Sequence, residues 1–296
     1  MEVFGANNSG YTVRMFDFEK NFDADAFLSW MSVNWTGSFW YAAIYVALLF
    51  AGQRYMKNRP RFELRWALAL WSGFLAIFSI CGAARTLPEL IHVIWHHGFV
   101  YSVCNPSYFY GPTAFWAYLF VISKVYELGD TFFIVLRKQP LILLHWYHHI
   151  TVMIYVWYSY TDHTAPGRWF TAMNYLVHAF MYSYYTLRAL QFRLPKYISV
   201  FITSMQITQM VMGLVVNFSS YHYKSQGIYC QQSYENMRYS LIMYCSYFVL
   251  FGYFFYTSYI QPKPVAALKN KTSESVKTKV VNGNYSYVMS DRSKIQ

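Results

Sequence analysis

Three histidines, His145, His148 and His149, sit in LLHWYHHITVMIY (143–155), a stretch otherwise as apolar as a membrane span. At i, i+3 and i+4 they share one helical face. Near neutral pH an imidazole can donate, accept or attack as a nucleophile, so this face offers acid–base or acyl-transfer chemistry. Its cost in lipid requires that it look inward. A second stripe, Lys124, Glu127 and Asp130, repeats every three residues and continues at Thr131. A lysine one turn from two carboxylates largely neutralises itself, which lowers the cost of burial. A third stripe places Asn174, His178, Tyr182 and Tyr185 on one face, with Met181 beside it. A fourth spaces Thr203, Gln206 and Gln209 by three. The bland alternative for all four is helix-to-helix hydrogen bonding, strongest for the Thr/Gln stripe.

The elements that must carry these stripes are membrane helices. Of the 296 residues, 56% are hydrophobic, 22% aromatic and only 12% charged, against about 25% charged in a soluble domain. Charge-free runs occupy 31–53, 66–84, 139–161, 169–187, 197–221 and 239–261, each near the roughly 20 residues that a span needs. A seventh, about 114–136, is apolar except for the Lys–Glu–Asp stripe. The expected fold is therefore an all-α integral membrane protein of seven transmembrane helices. It divides into a luminal N-terminal segment with an interfacial helix (1–30), a seven-helix catalytic domain (31–262) and a disordered basic tail (263–296).

Seventeen of the 24 Lys and Arg residues fall in 53–65, 137–140, 188–196 and the tail. The positive-inside rule then places the tail in the cytosol and the N-terminus across the membrane from it. The same topology accounts for the formal charge of +11 without nucleic acid. Residues before 31 lack the apolar core of a cleavable signal. The tail ends RSKIQ, a loose variant of a lysine-based retrieval signal to the endoplasmic reticulum. Cys81 and Cys245 fall within spans, whereas Cys104 and Cys230 land in oxidising loops and are expected to pair. Asn7, in N-N-S, is the expected glycosylation acceptor. His92, His96 and His97 (HVIWHH), in the segment after the second span, are expected to lie away from the cytosolic-side cluster, as are the solitary His163 and His222.

K-x-x-E-x-x-D-T (KVYELGDT, 124–131), H-x-x-H-H (HWYHH, 145–149), H-x-x-M-Y-x-Y-Y (HAFMYSYY, 178–185) and T-x-x-Q-x-x-Q (TSMQITQ, 203–209) occur in that order. Together they resemble the four boxes of the fatty acid elongases, over roughly residues 15–262. NRPRFELR, GAARTLPEL and ELGDTFFIVLRKQPLI look most like the branch that extends palmitoyl-class saturated and monounsaturated chains. The resemblance implies a 3-oxoacyl-CoA synthase of the endoplasmic reticulum membrane that condenses acyl-CoA with malonyl-CoA and releases carbon dioxide and CoA. It also implies six of the seven helices arranged as an inverted barrel around an acyl-chain tunnel. No flavin, nicotinamide or metal is expected. Membrane lipid, the other enzymes of an elongation cycle and a second copy of the chain are the partners compatible with it.

A Claisen condensation needs a carbon nucleophile, which decarboxylation of malonyl-CoA supplies, together with a held thioester and donors for the developing oxyanions. By box position His148 is the expected nucleophile, through an acyl-imidazole, and His178 the acid/base or oxyanion donor. Asp130, His145 and His149 would orient and polarise them, Lys124 with Glu127 would hold Asp130, and Asn174 completes the catalytic set. Thr131, Tyr182, Tyr185, Gln206 and Gln209 are expected to contact substrate. Arg137, Lys138, Arg188, Arg193 and Lys196, at the cytosolic span ends, are candidate partners of CoA phosphates. A membrane di-iron desaturase or hydroxylase is the chief rival, because HVIWHH and HWYHH mimic two histidine boxes. The nine histidines divide between opposite membrane sides, which disfavours it. A seven-helix receptor would leave the four polar boxes at one depth unexplained, and every box residue of an active enzyme is present.

Overall fold

The computed structural model describes residues 10–261; Asn7 and the tail 263–296 lie outside the described residues. Within them the chain forms helices α1 (Asp17–Lys20), α2 (Ala24–Asn34), α3 (Gly37–Met56), α4 (Arg65–Cys104), α5 (Pro112–Glu127), α6 (Gly129–Leu136), α7 (Leu143–Thr161), α8 (Gly167–Ala189), α9 (Lys196–Ser225) and α10 (Tyr234–Phe255). A short 3-10 turn, Ser107–Phe109, links α4 to α5. No strand occurs among the described residues. Residues 255–261 belong to a separate unit, which contains a π-helical turn, Tyr256–Ile260.

Every run expected to span is helical, but not all are equally apolar. Arg65–Cys104, Lys196–Ser225 and Tyr234–Ile260 are long and apolar enough to cross a membrane, and α2 with α3, bent by 63°, forms a fourth candidate. The chain is thus a multi-pass membrane protein. The expected third, fourth and fifth spans are more polar because their inward faces carry Lys124, Glu127, His149, Asn174 and His178, all buried. Two boundaries differ from expectation. The second span does not end at residue 84: α4 continues to Cys104 through Arg85, Pro88 and Glu89, with non-helical geometry at Gly98. The third is broken at Leu128 into α5 and α6, so the Lys–Glu–Asp stripe is split across two helices.

Charges inside α4 are tolerated because each has a buried partner. Arg85 holds Glu19 of α1 by two hydrogen bonds of 2.8 and 2.6 Å. The same carboxylate accepts from Trp116 Nε1 (2.8 Å) and Phe16 N (2.9 Å). One turn on, Glu89 accepts from Arg168 of α8 at 3.0 Å. Arg168 also donates to the carbonyls of Ser102 and Asn105 and to Ser107 Oγ.

The two ends of the bundle are tied differently. At the basic end, Lys138 Nζ donates to the carbonyls of Lys57 (3.2 Å) and Arg59 (2.8 Å), and Phe62 N donates to Leu136 O (3.0 Å). At the other end a disulfide joins Cys104 to Cys230. Gln231 N donates to Cys104 O, Ala165 N to Gln231 O, and Ser233 to the Asp162 carboxylate.

Burial pushes the Glu19 carboxyl up, but the Arg85 guanidinium and the Phe16 and Trp116 N–H donors outweigh it and hold the group below its ordinary 4.5. A carboxyl depressed by folding stabilises above its unfolded pKa and loses that stability as pH falls through the folded value. Glu19→Gln should therefore lower the thermal midpoint in detergent at pH 7, by the equivalent of about 3 kcal/mol for a broken buried pair. The gap to wild type should narrow as pH is taken below 4.5; a gap independent of pH would show that the charge is not what holds α1.

Candidate active site

The split stripe places its members in two adjoining constellations. In the first, Lys124 Nζ donates to Glu127 Oε1 (2.6 Å) and to Asn174 Oδ1 (2.9 Å). Ser123 Oγ also donates to Glu127 Oε1 at 3.0 Å. Asn174 Nδ2 lies 3.1 Å from His178 Nε2, and His178 Nδ1 is 3.9 Å from Glu127 Oε2. An ammonium only donates, so Asn174 must present its oxygen to Lys124 and its NH2 to His178. His178 Nε2 is then the acceptor, and the ring proton sits on Nδ1, facing Glu127. The four side chains close a ring between α5 and α8, buried throughout.

In the second constellation, Asp130 accepts from Trp71 Nε1 (2.7 Å) and Tyr182 Oη (2.8 Å). Lys124 and Glu127 therefore do not hold Asp130, as box position suggested; the helix break turns it toward α4 and α8 instead. Trp71 can approach because Gly129 has no side chain: a Cβ there would lie 2.6 Å from the indole. Thr131, the next residue, bonds Tyr45 Oη (2.6 Å) and His145 Nε2 (2.9 Å). His145 in turn packs on His149, with ring centroids 4.4 Å apart. His149 Nδ1 is buried without a hydrogen-bond partner. The HxxHH face is thus positioned by a hydroxyl relay from α3, and not by Asp130.

His148 is the histidine of this box that faces a cavity. Its ring lies 4.8 Å from that of Tyr247 and stands edge-on to His149 at 5.6 Å. Val152, Tyr155, Val156, Ser159 and Tyr160 follow it along one face of α7, and Asn174 and Gln209 join it at the same cavity. Asn174 therefore belongs to both the buried ring and the cavity wall. Gln206 donates to Met181 Sδ (3.3 Å), and Tyr185 is exposed. Arg188, Arg193 and Lys196 are exposed at the basic end and Arg137 is half-buried there. Lys138, expected at CoA phosphates, has its ammonium drawn to the carbonyls of Lys57 and Arg59. His92, His96 and His97 stack among themselves and on Tyr11 and Tyr101 in the second half of α4. Among the described residues, no three His, Cys, Asp or Glu side chains are arranged to hold a metal ion.

Trp71 and Tyr45 were missed from sequence. Aromatic residues in apolar helices read as packing, and only the unmet hydrogen-bonding demand of Asp130 and Thr131 pointed to partners elsewhere.

The buried ring yields a stability prediction. Lys124→Met strands a buried carboxylate, and Glu127→Gln strands a buried ammonium, each costing about 3–5 kcal/mol. The double variant should recover at least half of the summed loss in thermal midpoint, because the two charges neutralise one another. Additive losses would show that they are independent.

The chain matches the family model described as ELO: GNS1/SUR4 family over residues 30–267. It is 52% identical over 266 residues to very long chain fatty acid elongase 6 of Drosophila melanogaster, covering 88% of this chain and 83% of the relative. To the Homo sapiens protein of the same name it is 50% identical over 255 residues, covering 86% and 96%. Very long chain fatty acid elongase 3 of Homo sapiens is 45% identical over 239 residues, covering 80% and 88%. With its four boxes inside the matched region and 45–52% of the aligned residues identical in these relatives, the chain belongs to the GNS1/SUR4 family of fatty acid elongases.

Proposed function

We propose that this elongase is a 3-oxoacyl-CoA synthase of the endoplasmic reticulum membrane that condenses palmitoyl-class acyl-CoA with malonyl-CoA. The observation that carries the reading is the course of the cavity: His148 opens it, and residues on one face of α7 line it as far as Tyr160. Twelve residues of helix cover about 18 Å. Carbon–carbon bonds of about 1.5 Å meeting near 111° advance roughly 1.25 Å per carbon, so this face matches some fourteen carbons beyond a thioester held at His148. The cavity encloses about 60 Å³, so an acyl chain must part its walls. Met210 and Met243, unbranched and adaptable, stand there.

In this reading His148 attacks the thioester carbonyl and CoA leaves as thiol, giving an acyl-imidazole. Loss of carbon dioxide from malonyl-CoA then leaves an enolate, which attacks the acyl carbon and releases His148. Asn174 spends one amide proton on His178 and keeps a second for an oxyanion at the cavity wall. His178, with its proton on Nδ1 beside Glu127, serves as the acid/base group. Arg137, Arg188, Arg193 and Lys196 offer positive charge at the basic end, placed in the cytosol, with the Cys104–Cys230 end in the lumen. Seven spans, six of them closing the barrel around this cavity, complete the architecture. No flavin, nicotinamide or metal is needed, and the reductases and dehydratase of the cycle would take the product. A homodimer is compatible with the exposed apolar faces.

Intact-protein mass spectrometry after incubation with palmitoyl-CoA alone tests the mechanism. The wild type should gain one acyl group, and His148→Ala should gain none. Absence of the adduct in a preparation that forms 3-oxoacyl-CoA once malonyl-CoA is added would make the condensation direct.

A further inference from the structure

Where Ser159, Tyr160 and Thr164 line the cavity, one further side chain in the lining is held in an unusual way. Tyr108 belongs to neither wall: it sits on the 3-10 turn between α4 and α5, yet it lines the cavity together with Ser159, Tyr160, Thr164 and Gly167. Its hydroxyl donates to Thr164 O at 3.0 Å. That reach depends on Gly167, since a Cβ at this position would collide with the Tyr108 hydroxyl. The next residue, Arg168, clamps the turn that carries Tyr108, through Ser107 Oγ and the carbonyls of Ser102 and Asn105. Its guanidinium lies 5.6 Å from the Tyr108 ring centroid, and Glu89 neutralises it. Gly167 therefore admits the phenol and Arg168 fixes it, with Phe109 packed alongside at 4.2 Å.

We infer that Tyr108, seated by Gly167 and Arg168, is the specificity-determining stop of the acyl cavity, the residue that sets the longest chain this enzyme accepts. The inference rests on the reading of the cavity as the acyl site. A stop on a wall helix can yield by a rotamer change. A phenol hydrogen-bonded across the cavity, on a turn clamped by a buried cation, yields only if several bonds break together. Chains that fit above it gain burial with every carbon, and the first carbons that do not fit must displace the ring. The preference should accordingly fall off as a step and not a slope.

The test compares initial rates of 3-oxoacyl-CoA formation from palmitoyl-, stearoyl- and arachidoyl-CoA for wild type, Tyr108→Leu and Tyr108→Ala, purified in detergent. Each methylene newly accommodated is worth about fourfold, so a variant admitting two more carbons should raise the stearoyl-to-palmitoyl ratio of kcat/KM about fifteenfold. The readout is the ratio within each variant, so a change in overall rate does not enter it. Tyr108→Leu retains an apolar filler and decides the matter if the alanine variant does not fold. A folded variant that elongates palmitoyl-CoA with an unchanged chain-length ratio would overturn the inference. Failure of the wild type to elongate any of the three would instead sink the proposed function.

Discussion

Ionisable groups in an apolar bundle persist only where another group in the same interior answers them, and this constraint organises the molecule. Lys124 is answered by Glu127 and Asn174, Asp130 by Trp71 and Tyr182, Glu89 by Arg168 and Glu19 by Arg85. Each pairing joins elements distant in sequence, except for Lys124 with Glu127. These polar groups therefore also fix how α1, α4, α5, α6 and α8 meet. Removing one partner leaves a buried charge, a far larger penalty than a lost contact. The site and the packing that supports it are in this sense a single set of bonds.

The buried ring has a directional sense. Because Lys124 can only donate, the amide of Asn174 has one orientation, and because of that orientation the proton of His178 has one location. A change at Lys124 would thus alter the tautomer of a histidine that it does not touch. The hydroxyl relay from Tyr45 through Thr131 to His145 holds the HxxHH face from the opposite side, and because each hydroxyl both donates and accepts it can run in either direction. His148 stands between these supports with its ring toward the cavity.

Much of this was legible in the sequence where the information is local. Three histidines at i, i+3 and i+4 can only share a face, and charge-free runs of span length give helices. The positions of Cys104 and Cys230 suggested the pair that the structure joins. What stayed hidden was long-range. Arg85 and Glu89 each demand a partner, but nothing in a single chain says that the partners are Glu19 and Arg168. The break at Leu128 was masked because the Lys–Glu–Asp spacing reads as continuous helix, although Gly129 is a weak helix former in its midst. The continuation of α4 past residue 84 was hidden for a related reason: charges read as the end of a span when they are unpaired, and these are paired. Composition records the charge of Lys138 and not the carbonyls of Lys57 and Arg59 that accept from it.

The disulfide joins residues 126 positions apart, and this imposes an order on biosynthesis. Cys104 emerges with the first third of the chain, Cys230 only after α9. Until then the turn bearing Tyr108 can be clamped by Arg168 but not covalently tied to the 226–233 loop. A ribosome-bound intermediate stopped after α8 would hold the HxxHH box, the Lys124 ring and Asp130 with its donors, while that end still lacked its covalent tie. The first three of the four boxes are encoded ahead of the covalent tie at that end.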